Sequence, residues 1–249
     1  MDYRVNEKIK FGLITLAACL GVSITAALGS WQLSRAAQKA ALQADIKAQS
    51  AKPPITAKSL RALPDPSQAL RRRATIRGFW VKEATVYLEN RPMNGRVGFI
   101  VLTPLVMEGG SEAIVVQRGW VPRDFESRGG LPALVTPQGM VDVVGVISPP
   151  PSKLYEPGPP AHGLIRQNID LPQFQKEAGL SLVPVTLQQT GAASQGLQRN
   201  WPAVSLGIEK NQGYAFQWFG LSCLIAGLYV WFQVIRRFFY PPQDPSRNV

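Results

Sequence analysis

The chain has little of the chemistry on which enzymes and disulfide-bonded exported proteins rely. Its 249 residues include two cysteines and one histidine. Cys19 and Cys223 both fall inside long apolar runs, so the sequence predicts neither a disulfide framework nor a thiolate metal site in the polar region between those runs. We interpret both thiols as small apolar side chains in helices. A single histidine also excludes a metal site built on a pair of histidines.

The one histidine, His162, limits the catalytic arrangements that the chain can build. A Ser-His-Asp triad has to use it, with Ser148 or Ser152 as the nearby serine, yet no nucleophile-elbow pattern surrounds either serine. The sequence also has no Gly-rich phosphate loop followed by Lys and Ser or Thr. We therefore predict that the protein is not an enzyme. Two alternatives to our final functional prediction stay open. One is a membrane-anchored periplasmic hydrolase built on His162, and the other is a scaffold for another envelope complex.

Apolar residues are concentrated in two runs, one near each end of the chain. Phe11 to Leu28 contains no charged residue, and Tyr214 to Ile235 is also uncharged and is richer in aromatic residues. Each run is close to the length of about 20 residues that a helix needs to cross a bilayer. Basic residues flank the outer ends of both runs, which by the positive-inside rule places both termini in the cytoplasm and the middle of the chain outside it. These basic residues are Arg4, Lys8, Lys10, Arg236, Arg237 and Arg247.

The first apolar run has two alternatives to a retained membrane helix. A secretory signal peptide would use the small residues Ala26 to Ser30 for cleavage, but this run exceeds the usual length of about 7 to 15 residues. Leu16 to Cys19 is similar to a bacterial lipoprotein processing site. However, a lipidated cysteine opens a polar segment, whereas Leu20 to Leu28 remain apolar. We therefore predict a membrane helix that stays in the protein.

The sequence thus predicts six consecutive segments. After the first apolar run, Ala-rich sequence has helical spacing and ends before Pro53 and Pro54. The segments are a cytoplasmic N-terminus (1–10), a transmembrane helix (11–30), a helical stalk (31–52), a periplasmic β-rich domain (53–213), a second transmembrane helix (214–235) and a cytoplasmic tail (236–249).

Between the two membrane helices the sequence periodicity is that of strands. Five runs are rich in β-branched and aromatic residues and are bounded by turn residues. They are Ala74–Trp80, Thr85–Glu89, Val97–Leu102, Ala113–Gln117 and Met140–Ile147. Weaker patterns predict strands at Leu164–Ile169 and Val183–Gln189, and a helix at Leu171–Ala178 after an Asp170 cap. The predicted fold class is an α+β membrane protein in which two terminal transmembrane helices flank an antiparallel β-sheet or small β-barrel.

The chain is strongly basic, and some of its arginines adjoin tryptophan and proline. The net charge of +11 favours anionic partners, for which membrane lipid headgroups or haem propionates suit an exported domain better than nucleic acid. Arg91 precedes Pro92, and Arg118 and Trp120 precede Pro122. Two strand-end arginines with an adjacent indole are able to clamp a carboxylate. The alternative is a structural corner in which Arg caps carbonyl groups and Trp fills the mouth of a barrel.

Eight short motifs occur in order from the first apolar run to the second. They are Gly29–Lys39, Gly78-Phe79, Asn90-Arg91, Gly98-Phe99, Thr103–Leu105, Arg118–Pro122, Arg166–Asp170 and Gly213–Phe219. In this series the chain resembles the surfeit locus protein 1 family.

That resemblance implies a non-enzymatic assembly factor for haem-copper (aa3-type) cytochrome c oxidase. It implies the oxidase catalytic subunit as a partner, contact with haem a synthesis enzymes, and transient handling of haem a. It also implies two membrane helices with a domain between them. Because the first apolar run starts by residue 11 and leaves no room for a transit peptide, we expect a bacterial plasma (inner) membrane.

The resemblance also implies a histidine shortly before Gly213 as an axial haem ligand, and Asn211 stands at that position. An amide is a poor ligand of haem iron, and Tyr214 or Met140 would be the alternatives. We therefore expect apolar and electrostatic contacts with haem and no metal site. The candidate haem or partner contacts are Arg91, Arg118, Trp120, Tyr214, Gln217 and Trp218.

Overall fold

A computed structural model describes residues 2–123, 131, 134–158, 161–202 and 206–239 of the chain. The chain divides into two compact units, which are Met1–Ala44 with Ser205–Val249, and Asp45–Val204. The described part of the first unit is helical, and the second unit is built on a β-sheet.

Within these residues the structure contains five α-helices and seven β-strands. The helices are α1 (Asp2–Ala51), α2 (Ala57–Arg61), α3 (Leu171–Ala178), α4 (Ile208–Tyr229) and α5 (Arg236–Phe239). The strands are β1 (Arg73–Trp80), β2 (Val86–Met93), β3 (Arg96–Met107), β4 (Glu112–Pro122), β5 (Met140–Ser148), β6 (Ile165–Arg166) and β7 (Ser181–Gln189). Short 3-10 helices occupy Pro66–Ala69 and Lys82–Ala84, and a π-helical turn at Val230–Ile235 joins α4 to α5.

The first apolar run lies within one uninterrupted helix. α1 has 50 residues and continues through the predicted stalk to Ala51. It ends there because Pro53 and Pro54 follow and cannot extend a helix. Two helical stretches, Lys8–Ala51 and Ile208–Ile235, are long and apolar enough to cross a membrane. The boundaries of the membrane segments themselves stay predictions.

The seven strands form one sheet in the order β1-β5-β7-β4-β3-β2-β6. β1 also pairs with β3 through Gly78 to Trp80, which closes β1, β5, β7, β4 and β3 into a ring. The close approach at this contact requires glycine, because a Cβ on Gly78 would lie 2.1 Å from the carbonyl oxygen of Val106. The predicted small barrel is therefore present as a five-stranded ring, with β2 and β6 added at its side.

The prediction of a purely antiparallel sheet is wrong for two of its pairings. β4 and β7 run parallel, and so do β2 and β6. The residues between β4 and β7 include β5, β6 and α3, so the chain crosses over and re-enters beside β4 in the same direction. Hydrophobic alternation reports which face of a strand is buried and carries no information on the direction of its neighbour.

Three strands run further than their apolar patterns predict. β2, β3 and β4 continue to Met93, Met107 and Pro122. In β2 the register against β3 shifts between Leu88 and Arg91, where Asn90 adopts a φ of 58°. A bulge thus absorbs the turn-forming residue and lets the strand continue.

The predicted helix after β6 is confirmed, whereas β6 itself is short. The Asp170 carboxylate caps α3 by accepting a hydrogen bond from the Gln173 amide at 3.2 Å, and Gly179 at a φ of 64° ends the helix. β6 contains only two residues, and the carbonyl of Gln167, which follows it, accepts a hydrogen bond from the side chain of Arg91 at 2.8 Å.

Pairing between β5 and β7 stops where prolines replace the next pair of partners. The last pair is Ser148 with Thr186, and the same register continued by two residues would set Pro150 opposite Pro184. Neither proline has an N–H to donate. The next amide on that edge of β7, at Leu182, instead donates to a side-chain oxygen of α3 at 2.9 Å. A cleft of about 540 Å³ opens between the diverging chains.

The main core of the sheet unit is formed by the five strands of the ring, by α2 and by Ile55 and Ala69. Its fully buried side chains include Leu60, Ile76, Leu105, Ile114, Ile147 and Leu187, each 0% exposed. A second cluster places Leu171 and Phe174 of α3 against Leu88 and Leu102. Burial on this scale, at about 25 cal/mol per Å² of apolar surface, holds α2 and α3 on the sheet.

Candidate functional site

Arg118 of β4 is fully buried and is held by neutral oxygen atoms. Its guanidinium donates hydrogen bonds to Thr136 Oγ1 at 2.8 Å, to the Val135 carbonyl at 2.9 Å and to Gln195 Oε1 at 2.6 Å. The guanidinium carbon lies 4.7 Å from the centre of the Trp80 ring, which is a cation–π contact. The predicted strand-end arginine therefore lies inside the sheet unit and is not presented to solvent.

The charge of Arg118 is not balanced by a carboxylate among the described residues. Burial, followed by the nearby charge of Arg199, lowers the pKa of Arg118 to about 10. Its Nε atom is also buried without a hydrogen-bond partner in the described structure. Buried charges are normally paired with an opposite charge, whereas the partners of this guanidinium in the described part of the chain are neutral oxygen atoms and an aromatic face.

Arg91 and Trp120, the next two predicted residues, meet at the end of the β2–β3–β4 sheet. Arg91 donates to the carbonyls of Ser152 and Gln167, each at 2.8 Å, and burial lowers its pKa. Trp120 is 2% exposed and donates from Nε1 to the Arg91 carbonyl at 2.7 Å. This arrangement has the geometry of the structural corner. Contact of these two side chains with haem or with a partner stays a prediction.

A third buried arginine, Arg199, was missed by the sequence analysis. It donates to the Arg118 carbonyl at 2.8 Å and to the Ala192 carbonyl at 2.6 Å, and burial lowers its pKa. Gln198 beside it pairs with Trp120 through two backbone hydrogen bonds of 2.7 and 2.8 Å. No periodic pattern surrounds Arg199, so no sequence signal was available to identify it.

In the helical unit, α1 and α4 pack as an antiparallel pair along a continuous seam. From Val22 to Lys39 the α1 side of the seam recurs every three or four residues, which is the spacing of one helix face, and Thr15 lies two turns before Val22 on the same face. Its members are Thr15, Val22, Thr25, Gly29, Gln32, Ala36 and Lys39. A Cβ on Gly29 would lie 2.9 Å from the ring of Phe219, and the Thr15 and Tyr229 hydroxyls lie 2.9 Å apart. The contacts of α4 thus run in the opposite direction along α1.

Asn211, at the position where a histidine was expected, belongs to this seam. Its Oδ1 accepts a hydrogen bond from Lys39 Nζ at 2.6 Å, and its Nδ2 donates to Gln32 Oε1 at 2.6 Å. Both polar atoms of the amide are thus occupied by α1. A haem bound through residue 211 does not fit this structure, because an amide is a poor iron ligand and this amide is already bonded on both sides.

Gln217 and Trp218 follow Tyr214 by three and four residues, so both lie next to it on the same side of α4. Tyr214 is 53% exposed, Gln217 is exposed, and Trp218 is half-buried beside the seam. The six predicted contacts therefore form two groups in separate units. Arg91, Arg118 and Trp120 lie in the sheet unit, and the three α4 residues lie in the helical unit.

The other predicted ligands and the predicted hydrolase residues are placed as follows. Met140 is 38% exposed at the start of β5. His162 lies 2.9 Å from the carboxylate of Glu177, whose pKa is lowered because hydrogen bonds from His162 and Arg166 outweigh the opposing effect of burial. Among the described residues no serine bonds to His162, and Ser148 donates to its own strand at 3.2 Å.

The described residues contain no cluster of three or more His, Cys, Asp and Glu side chains suited to a metal ion. A family model described as the SURF1 family matches residues 19–223. The matched stretch begins inside α1, includes the sheet unit and ends inside α4. A comparison with curated proteins finds no match.

Proposed function

The chain belongs to the SURF1 family, and on that premise we propose that it assists maturation of the catalytic subunit of an aa3-type cytochrome c oxidase. The family is associated with cytochrome oxidase assembly, and its members are assembly factors that are not known enzymes. The observation that carries this proposal is the extent of the family match, which includes part of each long apolar helix and the whole sheet between them.

The surface of the helical unit supports a location in the membrane. Large apolar side chains on α1 point away from the seam and are 53 to 61% exposed. They are Leu13, Leu16, Leu20 and Ile24. In water such a stripe is unfavourable, whereas in a bilayer it faces lipid. In the proposed topology the chain spans the bacterial plasma membrane twice, with both termini in the cytoplasm and the sheet unit in the periplasm.

Haem a is the proposed cargo of this assembly step, and its contact with the chain is transient. Exposed Tyr214 and Gln217, together with half-buried Trp218, offer two aromatic rings and one amide on α4. Aromatic rings suit the flat apolar surface of a porphyrin, and basic residues suit its propionates. Asn211 takes no part as a ligand, since its amide holds α1 and α4 together.

Deleting the gene and measuring the membranes tests this proposal. We expect oxidase activity and haem a content to fall together, and expression of the full chain to restore both. Normal activity and normal haem a content after deletion would overturn the assembly function. To test the haem contact, the full chain is purified after co-expression with haem a synthesis enzymes, and its absorption spectrum is compared with that of Trp218→Ala. A spectrum unaffected by Trp218→Ala would contradict the α4 contact.

A further inference from the structure

A loop without regular structure, residues 152–158, is held in place by side chains from elsewhere in the sheet unit. We refer to it as the Tyr155 loop. The side chain of Asn168 binds both backbone polar groups of Leu154. Its Oδ1 accepts a hydrogen bond from the Leu154 backbone N–H at 2.7 Å, and its Nδ2 donates to the Leu154 carbonyl at 2.8 Å. The Asn168 amide thus mimics a neighbouring strand, and it also donates to Glu156 Oε2 at 2.9 Å.

The residues on either side of Leu154 are held in the same way. Gln167 Nε2 donates to the Tyr155 carbonyl at 2.6 Å, and Arg91 donates to the Ser152 carbonyl at 2.8 Å. Lys153 forms an ion pair with Asp170 at 3.2 Å. Five consecutive loop residues are therefore fixed, and most of the groups that hold them come from the Arg166–Asp170 motif. This gives the motif a structural role that the sequence alone did not assign.

The side chain of Tyr155 is exposed although its backbone is fixed. It is 87% exposed, the largest exposed fraction among the large apolar side chains that the structure describes. Fixing the backbone of a loop costs conformational entropy. In this loop the fixed backbone carries an aromatic side chain that remains exposed to water. Tyrosine is enriched at the energetic centres of protein interfaces, and a loop whose backbone is already fixed loses little further backbone freedom on binding.

The surroundings of the ring favour a protein partner over a lipid surface. Lys153 and Glu156 beside it carry opposite charges, and Ser152 is exposed and polar. A segment that inserts into a membrane combines several apolar residues with basic ones. One aromatic side chain within a polar rim of both charges has instead the composition of a small protein interface.

We propose that the Tyr155 loop is a docking anchor whose ring enters an apolar pocket of a protein partner. This inference rests on the proposed function, under which the partner is the oxidase catalytic subunit. It adds to that function a defined contact surface, located on the sheet unit and separate from the α4 face.

Binding of the purified full chain to the purified catalytic subunit tests the anchor. We expect Tyr155→Ala to weaken the affinity by about tenfold or more, because a truncated anchor typically costs at least that much. Tyr155→Phe keeps the ring and is expected to keep most of the affinity. Asn168→Ala leaves Tyr155 in place but releases Leu154, so it is expected to weaken binding through the loss of a fixed loop.

Val144→Ala is the matched control, because it truncates another exposed apolar side chain, 53% exposed on β5. It is expected to bind like the natural chain. Thermal unfolding of Tyr155→Ala is expected to be unchanged, since the ring buries little surface. If the natural chain itself fails to bind the subunit, the proposed partner and the anchor are both overturned. If the natural chain binds and Tyr155→Ala binds equally well, or weakens only as much as Val144→Ala, the anchor alone is overturned.

Discussion

The Lys39 ammonium of α1 donates a hydrogen bond of 2.6 Å to the side-chain oxygen of Asn211 on α4. The bond joins two residues that are 172 positions apart in the chain and half-buried in the same seam. At this position the resemblance implied an iron-binding imidazole. The structure instead has an amide that links the two long helices.

Replacing Asn211 tests this link. Asn211→Leu removes both hydrogen bonds and leaves a half-buried ammonium without its acceptor, so we expect the helical unit to lose about 1–3 kcal/mol of stability. The loss is measured as a lower midpoint of thermal unfolding of the purified full chain. Gln212→Leu, at the exposed neighbouring position, is the control and is expected to behave like the natural chain. An equal loss in both variants would contradict the role of Asn211.

Replacing Gly29 by a residue with a side chain is expected to destabilise the helical unit, because the ring of Phe219 packs against this position. The added methyl of Gly29→Ala meets three ring atoms of Phe219 at 2.9 to 3.0 Å, so the helices must separate or the ring must move. We expect a loss of about 1–3 kcal/mol, measured by thermal unfolding. The same substitution at Gly12, which has nothing within 4 Å, is expected to be neutral. Combining Gly29→Ala with Phe219→Leu should restore stability, and failure to do so would argue against this contact as the cause.

Lysine is not expected to preserve the stability that Arg118 gives to the sheet unit. Arg118→Lys keeps the charge but loses the planar fork that reaches Thr136, Val135 and Gln195 together. We expect the free energy of unfolding of the sheet unit to fall by about 2–3 kcal/mol, as measured by chemical denaturation. Arg77→Lys is the control, since the Arg77 side chain is 56% exposed and its ion pairs are 3.9 and 4.0 Å long. Equal stability of the two variants would show that the buried fork is unimportant.

Acidification should weaken the contact that Glu177 makes with His162 and Arg166. The pKa of Glu177 is lowered below its usual value of 4.5. A carboxylate with a lowered pKa in the folded state stabilises above its unfolded pKa, and that contribution is lost as pH falls through the folded pKa. We therefore expect Glu177→Gln to unfold at a lower temperature than the natural chain at pH 6, and the difference to shrink below about pH 4.

The control for this pH dependence is Glu83→Gln, whose carboxylate is 72% exposed. It should follow the natural chain at every pH. A constant difference between Glu177→Gln and the natural chain from pH 6 to pH 3 would show that the carboxylate charge is not what stabilises this contact.

The helices and most strands could be predicted because their signals are local. The uncharged run from Phe11 lies within α1, and Asp170 caps α3 as expected. The direction of β7 beside β4 could not be predicted, since it depends on the crossover that precedes β7. The bulge at Asn90 was also missed, because its turn-forming residue indicated the end of a strand.

The candidate site was harder to predict because its geometry depends on distant segments. Arg91 was recognised as unusual, but its partners, the carbonyls of Ser152 and Gln167, are 61 and 76 residues away. A charged residue next to proline has the same local pattern whether it faces solvent or caps buried carbonyls. The role of Asn168 could not be predicted from its neighbours in sequence either, because its side chain binds the backbone of a loop 14 residues away.

The paired prolines at the end of the β5–β7 ladder also affect how the protein behaves among other copies of itself. A free strand edge is a template onto which an extended segment of another molecule can add. At this fork Pro150 and Pro184 remove the donors, and the amide of Leu182 is already bonded within the chain. The open end of the ladder is therefore protected against self-association, even though the cleft itself remains accessible.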